Sequence, residues 1–308
     1  MRPELRNRLI FGHLLAGLFV ICLGVDLTTG HHWGILGLLT VAVLLAGLEL
    51  RSLSIHVQAL IPVGPLLVCS ELLLLFYFLA YDSSYGAPWL PASVRALPVP
   101  ALIIAGGFMW MCFVHMGRKG YQDFTRYVGM GMLCLGYLGV CSSMLLPLAT
   151  LPDLPSTDAE ATALGTATRG TQLVILHVFV CKIGDISAFT GGKLFGRHKL
   201  APSISPGKTW EGFGFAVAGA SLAALIVGWC LSALGLAPVF TQWWSYLLWG
   251  LALGPLGVLG DLVESCLKRD AGVKDSSTVV PGFGGFLDVF DAVIFSAPAA
   301  YGLALLLP

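Results

Sequence analysis

The chain has 308 residues, 56% of them hydrophobic and only 11% charged, where a soluble globular domain carries about 25% charged residues. Its mean hydropathy is +0.84, and 17 basic residues balance 17 acidic ones. Water is therefore excluded as the solvent for most of this surface, and the zero net charge speaks against a nucleic-acid binder or a polybasic membrane-surface protein.

A helix that crosses a bilayer needs about 20 mainly apolar residues. Nine such stretches are predicted, near 9–28, 33–50, 57–80, 98–116, 127–148, 171–190, 211–232, 243–262 and 287–307. The expected fold class is all-α, a polytopic integral membrane protein with about nine transmembrane helices. Arg2, Arg6 and Arg8 precede the first stretch like the charged start of a signal peptide. No small-residue cleavage site follows, so the stretch reads as a transmembrane helix.

Residues 1–150 hold five spans read as packing and lipid-facing, with few intramembrane acids: Asp26 and Glu49 near helix ends and, inside the third span, Glu71. Glu71 fits either a pairing with a neighbouring helix or a proton path. The segments 81–97 and 149–170 carry no chemical constellation, and Gly250 and Gly254 form a GxxxG packing pair. The eight cysteines show no CxxC pair or metal-ligand spacing and read as small buried hydrophobes.

Lys and Arg accumulate in cytoplasmic loops. With the N-terminus inside, 14 of the 17 basic residues fall on inner segments, Arg95 and Arg169 fall outside, and Lys182 lies within a span. Residues 151–308 form the second region, four spans whose inner-face polar loops at 191–212 and 263–287 gather its charge.

The first loop runs from Gly191, Gly192 and Lys193 through Gly196, Arg197, His198 and Lys199 to Ser205, Pro206, Gly207, Lys208, Thr209, Trp210 and Glu211. Glycines, hydroxyls and ammonium groups together bring backbone N–H and cations close to phosphate oxygens. The spacing is not that of a Walker loop, since Pro202 stands where the first glycine belongs. A plain positive-inside loop with a Ser-Pro-Gly turn is the other reading. Lys182 and Asp185 are spaced to pair with each other or to line a shared cavity.

In the second loop, Asp261, Ser265 and Lys268 recur at i, i+4 and i+7 and share one face if the eighth helix continues. Asp288 and Asp291 share a face at the start of the ninth, and the glycine-rich segment 281–285 lets the two helix ends meet. Asp261, Asp288 and Asp291 are thus the expected metal ligands, in the manner of a Mg²⁺ site shared with substrate phosphates. The alternative is that Asp288 and Asp291 only favour a helix N-terminus, while Asp261 pairs with Lys268 or Arg269.

The run Ser265, Lys268-Arg269, Lys274-Asp275, Pro281-Gly282, Gly284-Gly285, Asp288 and Asp291 resembles the C-terminal signature of the phosphatidate cytidylyltransferases, or CDP-diacylglycerol synthases. Ser205-Pro206, Lys208-Thr209-Trp210-Glu211-Gly212 and Asp185 match further motifs of that family in the same order. Residues 182–291 carry the resemblance. Three positions depart from it: Phe283 stands where the family has His, Val289 where it has Arg, and Gly207 where it has Lys or Asn.

The resemblance implies transfer of a cytidylyl group from CTP to phosphatidic acid, with Mg²⁺, and room for a second cation, on Asp261, Asp288 and Asp291. Lys208, Lys268, Arg269 and Lys274 would neutralise phosphates, Ser205, Thr209 and Ser265 would hydrogen-bond them, and Asp275 belongs to the same motif. Expected partners are CTP, phosphatidic acid and membrane lipids, with a homodimer allowed and no nucleic acid. The active site is expected at the cytoplasmic face. Alternatives are a CTP-dependent enzyme acting on another lipid phosphate or alcohol, a paralogue impaired by Phe283 and Val289, or a transporter.

Overall fold

Hydrocarbon offers a backbone no hydrogen-bond partners, so a spanning segment must satisfy its own N–H and C=O groups, which a helix does. A computed structural model describes residues 3–56, 62–81, 98–119, 121–153, 168–273 and 285–308. Among the described residues, nine helices are long and apolar enough to cross a membrane. They are α1 (Pro3–Thr29), α2 (Trp33–His56), α3 (Val63–Tyr81), α4 (Val99–Lys119), α5 (Phe124–Ala149), α6 (Arg169–Phe195), α7 (Trp210–Ala233), α8 (Trp243–Asp270) and α9 (Leu287–Leu306). The polytopic all-α expectation is borne out.

Several helix boundaries moved, among them the start of α1 at Pro3 and the end of α6 at Phe195. The stretch predicted at 33–50 continues to His56, and the one predicted at 243–262 runs on to Asp270. Hydropathy marks where lipid ends, whereas a helix ends where its hydrogen-bond ladder does, and polar residues extend that ladder into the interface. The polar loop at 191–212 also holds regular structure. Strands β1 (Lys199–Ala201) and β2 (Ser205–Thr209) pair antiparallel, with Lys199 opposite Thr209 and Ala201 opposite Ser205.

By packing, the chain divides into two compact units. The first comprises residues 1–146 and 267–290. Its core is built from Leu66, Leu74, Phe78, Met111, Leu135 and Leu138, all fully buried. A π-helical segment, Leu135–Val140, interrupts α5 and packs against α3. Asp26, in the last turn of α1, reaches the start of α2, where its carboxylate accepts the N–H groups of Gly34 at 2.5 Å and Ile35 at 3.1 Å. Only 11% of the α1 window and 17% of the α4 window are buried, so their leucines, valines and phenylalanines face the lipid that accepts them.

The second unit comprises residues 147–266 and 291–308. Trp249, Phe240, Leu173, Leu176 and Leu253 form its core, and α6 packs along α7. Gly250 and Gly254 act as packing surfaces: a Cβ on Gly250 would lie 2.6 Å from the backbone nitrogen of Ser221 and one on Gly254 3.0 Å from the Cα of Val217. Buried His177 donates from Nε2 to the Val293 carbonyl at 3.0 Å, tying α6 to α9. Arg169, also buried, donates to the carbonyls of Val239 and Ala304. The cysteine expectation holds for Cys69, Cys134 and Cys181, whereas Cys22, Cys112 and Cys141 are half-buried and Cys230 and Cys266 exposed. On lipid-facing helix surfaces an apolar thiol needs no burial.

Candidate functional site

The polar site of the second unit begins with the junction between the hairpin and α7. Thr209 is the N-cap of α7, its hydroxyl accepting from the N–H of Gly212 at 3.1 Å, one of the orphan donors of a first helical turn. Glu211 faces back along the chain. Its carboxylate accepts the N–H groups of Arg197 at 3.0 Å and His198 at 3.2 Å, and pairs with Nδ1 of His198 at 2.7 Å. These contacts fix both ends of the hairpin, and with them the strand that carries Ser205, Lys208 and Thr209.

Lys208 reaches α8. Its ammonium lies 2.9 Å from Oδ2 of Asp261 and donates to the Val258 carbonyl at 3.1 Å. Only 17% of the Lys208 side chain is exposed, so it is held in place. Around it opens a cavity of about 440 Å³. Asp185, Lys193, Ser205, Lys208, Thr209 and Asp261 give it a polar lining, and Ala188, Phe189, Leu200, Phe213 and Val258 an apolar one. Lys182 lies 3.6 Å from Asp185, so Asp185 both pairs and lines the cavity. Lys193, which the motif reading left out of its candidate residues, belongs to the cavity wall.

Asp261 also belongs to a carboxylate group. One oxygen from each of Asp261, Glu264 and Asp291 lies within 4.8 Å of the others. Glu264 and Asp291 are buried, and Ser265 donates from its hydroxyl to Oδ1 of Asp261 at 3.4 Å. The close approach of α8 and α9 depends on Gly260. A Cβ there would stand 2.9 Å from the Asp291 carbonyl oxygen and 2.9 Å from Cβ of Phe295. Glu264 was absent from the expected ligands, although its i+3 spacing from Asp261 places both on one face of α8.

Asp288 lies in the first unit with the ends of α8 and α9. Its carboxylate pairs with the Lys268 ammonium and accepts the N–H of Gly285 at 2.8 Å. Arg269 donates to the Val273 carbonyl at 3.0 Å, closing the end of α8. In the same unit the buried carboxylate of Glu49, from α2, accepts the N–H groups of Phe286 at 2.6 Å and Leu287 at 2.9 Å. Lys274, Asp275 and Phe283 lie outside the described residues.

The donor set of Asp261, Glu264 and Asp291 fits a hard divalent cation, whose oxygen ligands lie at most about 4–5 Å from one another. Cations and hydroxyls on the hairpin and its neighbouring helix, with carboxylates on spanning helices, define the class: an integral membrane protein with a polar site. The profile of the Cytidylyltransferase family matches residues 6–307. The chain is 39% identical over 153 residues to the uncharacterized protein YnbB of Escherichia coli (strain K12), covering 50% of this chain and 46% of that one. It is 42% identical over 140 residues to a phosphatidate cytidylyltransferase of Synechocystis, covering 44% of each chain. A phosphatidate cytidylyltransferase of Mycobacterium bovis is 33% identical over 251 residues, 81% of this chain and 73% of the relative. The chain thus spans less than half the length of the first two relatives. The chain belongs to the Cytidylyltransferase family, as its motifs led one to expect.

Proposed function

We propose that the protein transfers a cytidylyl group from CTP to phosphatidic acid, giving CDP-diacylglycerol and pyrophosphate. A phosphate oxygen of phosphatidic acid attacks the α-phosphorus of CTP, and the bond from that phosphorus to the oxygen bridging to the β-phosphate breaks, releasing pyrophosphate. Both reactants are anions, so the barrier is largely charge repulsion and positioning. The observation that carries this reading is the cavity where two ammonium groups, Lys193 and Lys208, and two hydroxyls, Ser205 and Thr209, meet an apolar wall. Such a surface suits an anionic headgroup that stays attached to acyl chains.

In this reading Lys193 and Lys208 neutralise phosphate oxygens, and Ser205 and Thr209 orient them. Asp261, Glu264 and Asp291 would hold Mg²⁺, which supplies charge stabilisation for phosphate oxygens when bound. Lys268, Arg269 and Asp288 adjoin these residues on the same helices, where Lys268 and Asp288 secure the helix ends. The site faces the cytoplasm, a reading supported by the 14 basic residues on segments of that side. The homodimer allowed by the sequence is part of this proposal, and light scattering of the detergent complex decides it.

The test is conversion of radiolabelled CTP into a lipid-soluble product by purified protein, with phosphatidic acid in mixed micelles. A product that requires both phosphatidic acid and Mg²⁺, and forms with CTP in preference to ATP, is expected. Equal use of ATP and CTP, or a product from a lipid alcohol but not from phosphatidic acid, would remove the assignment.

A further inference from the structure

Residues 1–150 also make a buried polar contact with the start of α9. Ala42 and Leu45 of α2 pack against Phe286, just ahead of α9, and Phe286 stacks on Phe290 with ring centroids 4.8 Å apart. Glu49 lies one turn beyond Leu45 on the same face of α2. Its carboxylate, 4% exposed, spends both oxygens on successive backbone N–H groups, those of Phe286 and Leu287. The first four N–H groups of a helix have no partner within it, and a carboxylate is the favoured charge there.

We propose that Glu49 is a positioning residue for the transfer site: gripping two adjacent N–H groups, it fixes the axial and rotational setting of the first turn of α9. Asp288 is the next residue after the gripped pair, and Asp291 follows one turn later on the same helix. A single acceptor would leave the helix free to swivel about one bond; two acceptors on consecutive residues do not. Both Glu49 and Phe286 are buried. Reacting groups displaced by about 1 Å lose roughly 10²-fold in rate, so a change at Glu49 reaches chemistry it never touches. The inference rests on reading Asp261, Glu264 and Asp291 as the cation-binding group.

Asp26 supplies a matched control. It caps α2 with the same chemistry, one carboxylate on the N–H groups of Gly34 and Ile35, and belongs to no part of the proposed site. Glu49→Gln keeps the shape but turns an acceptor into a donor facing an N–H, and Asp26→Asn does the same at α2. The measurements are detergent melting temperature against Mg²⁺ concentration, which needs no turnover, and Mg²⁺-dependent turnover with kcat and KM for CTP. Glu49→Gln should raise both Mg²⁺ half-points by about tenfold, the scale of a lost second-layer contact, and should lower kcat more than it raises KM. Asp26→Asn should lower the melting temperature and leave both half-points in place. Where Glu49→Gln does not fold, Glu49→Asp, which withdraws the charge by one methylene, should shift the half-points in the same direction. Unmoved half-points in a folded Glu49 variant beside a Mg²⁺-responsive wild type would overturn the proposal alone. A wild type indifferent to Mg²⁺ would overturn the underlying reading and this inference with it.

Discussion

Lys208 and Asp261, 53 positions apart in the chain, stand with ammonium and carboxylate 2.9 Å from each other. The contact joins β2 to α8 and sets a cation at the boundary between the cavity and the carboxylate group. Lys208→Met keeps the apolar stem and removes the charge. It should lower kcat/KM for CTP by about 10²–10³, the effect of losing one preorganised electrostatic group, about 3–4 kcal/mol. Steady-state assays at saturating Mg²⁺ measure it, and a loss below tenfold would show that Lys208 is only a helix tie.

Asp288 and Asp291 should part company under the same substitution. Asp291→Asn removes a charge from the carboxylate group and should abolish most Mg²⁺-dependent thermal stabilisation together with turnover. Asp288→Asn removes the carboxylate that pairs with the Lys268 ammonium, in a side chain only 11% exposed. Breaking such a pair costs about 3 kcal/mol or more, so its melting temperature should fall further than that of Asp291→Asn. Melting curves with and without Mg²⁺ on both variants check this, and identical profiles would contradict it.

Glu264 carries a charge that the motif reading overlooked. Glu264→Gln should raise the Mg²⁺ concentration for half-maximal turnover by about tenfold while the protein stays folded, because a carboxamide keeps the volume of a buried side chain. A Mg²⁺ titration of initial rates reads the shift directly, and an unchanged half-point would take Glu264 out of the cation group.

Gly260→Ala tests the close approach of α8 and α9. The new methyl would meet the Asp291 backbone oxygen and Cβ of Phe295, both at 2.9 Å, and overpacking of this kind costs about 1–3 kcal/mol. The helices should separate enough to lower turnover at least tenfold, with a lower melting temperature. Gly257→Ala, whose methyl meets only Cβ of Ala292 at 3.7 Å, should be tolerated.

The orientation is open to cysteine labelling. On a cysteine-free background, Gly207→Cys in the hairpin should react with impermeant maleimide only after the membrane is opened, and Leu236→Cys, past the other end of α7, in intact cells. Reaction of the hairpin cysteine from outside would invert the topology and move the site off the cytoplasmic face.

Nine spans were legible because lipid is a severe solvent: each crossing demands a long apolar run, and the run is written locally. The order of motifs that marks the family was legible for the same reason, being a property of the chain itself. Charge along the chain did not show where α8 ends, because a helix continues past the lipid boundary to Asp270 without a hydropathy signal. Nor did it show how the acids divide. Asp288 and Asp291 look alike in sequence and share a helix face, yet one is taken by Lys268 while the other faces Asp261 and Glu264, since they stand about one turn apart along the helix and so meet α8 at different levels. Glu49 lies 237 residues from the amide it holds. No local pattern announces such a pair, and only tertiary packing, which brings a buried carboxylate to two otherwise unmatched N–H groups, decides that α2 belongs to the support of α9.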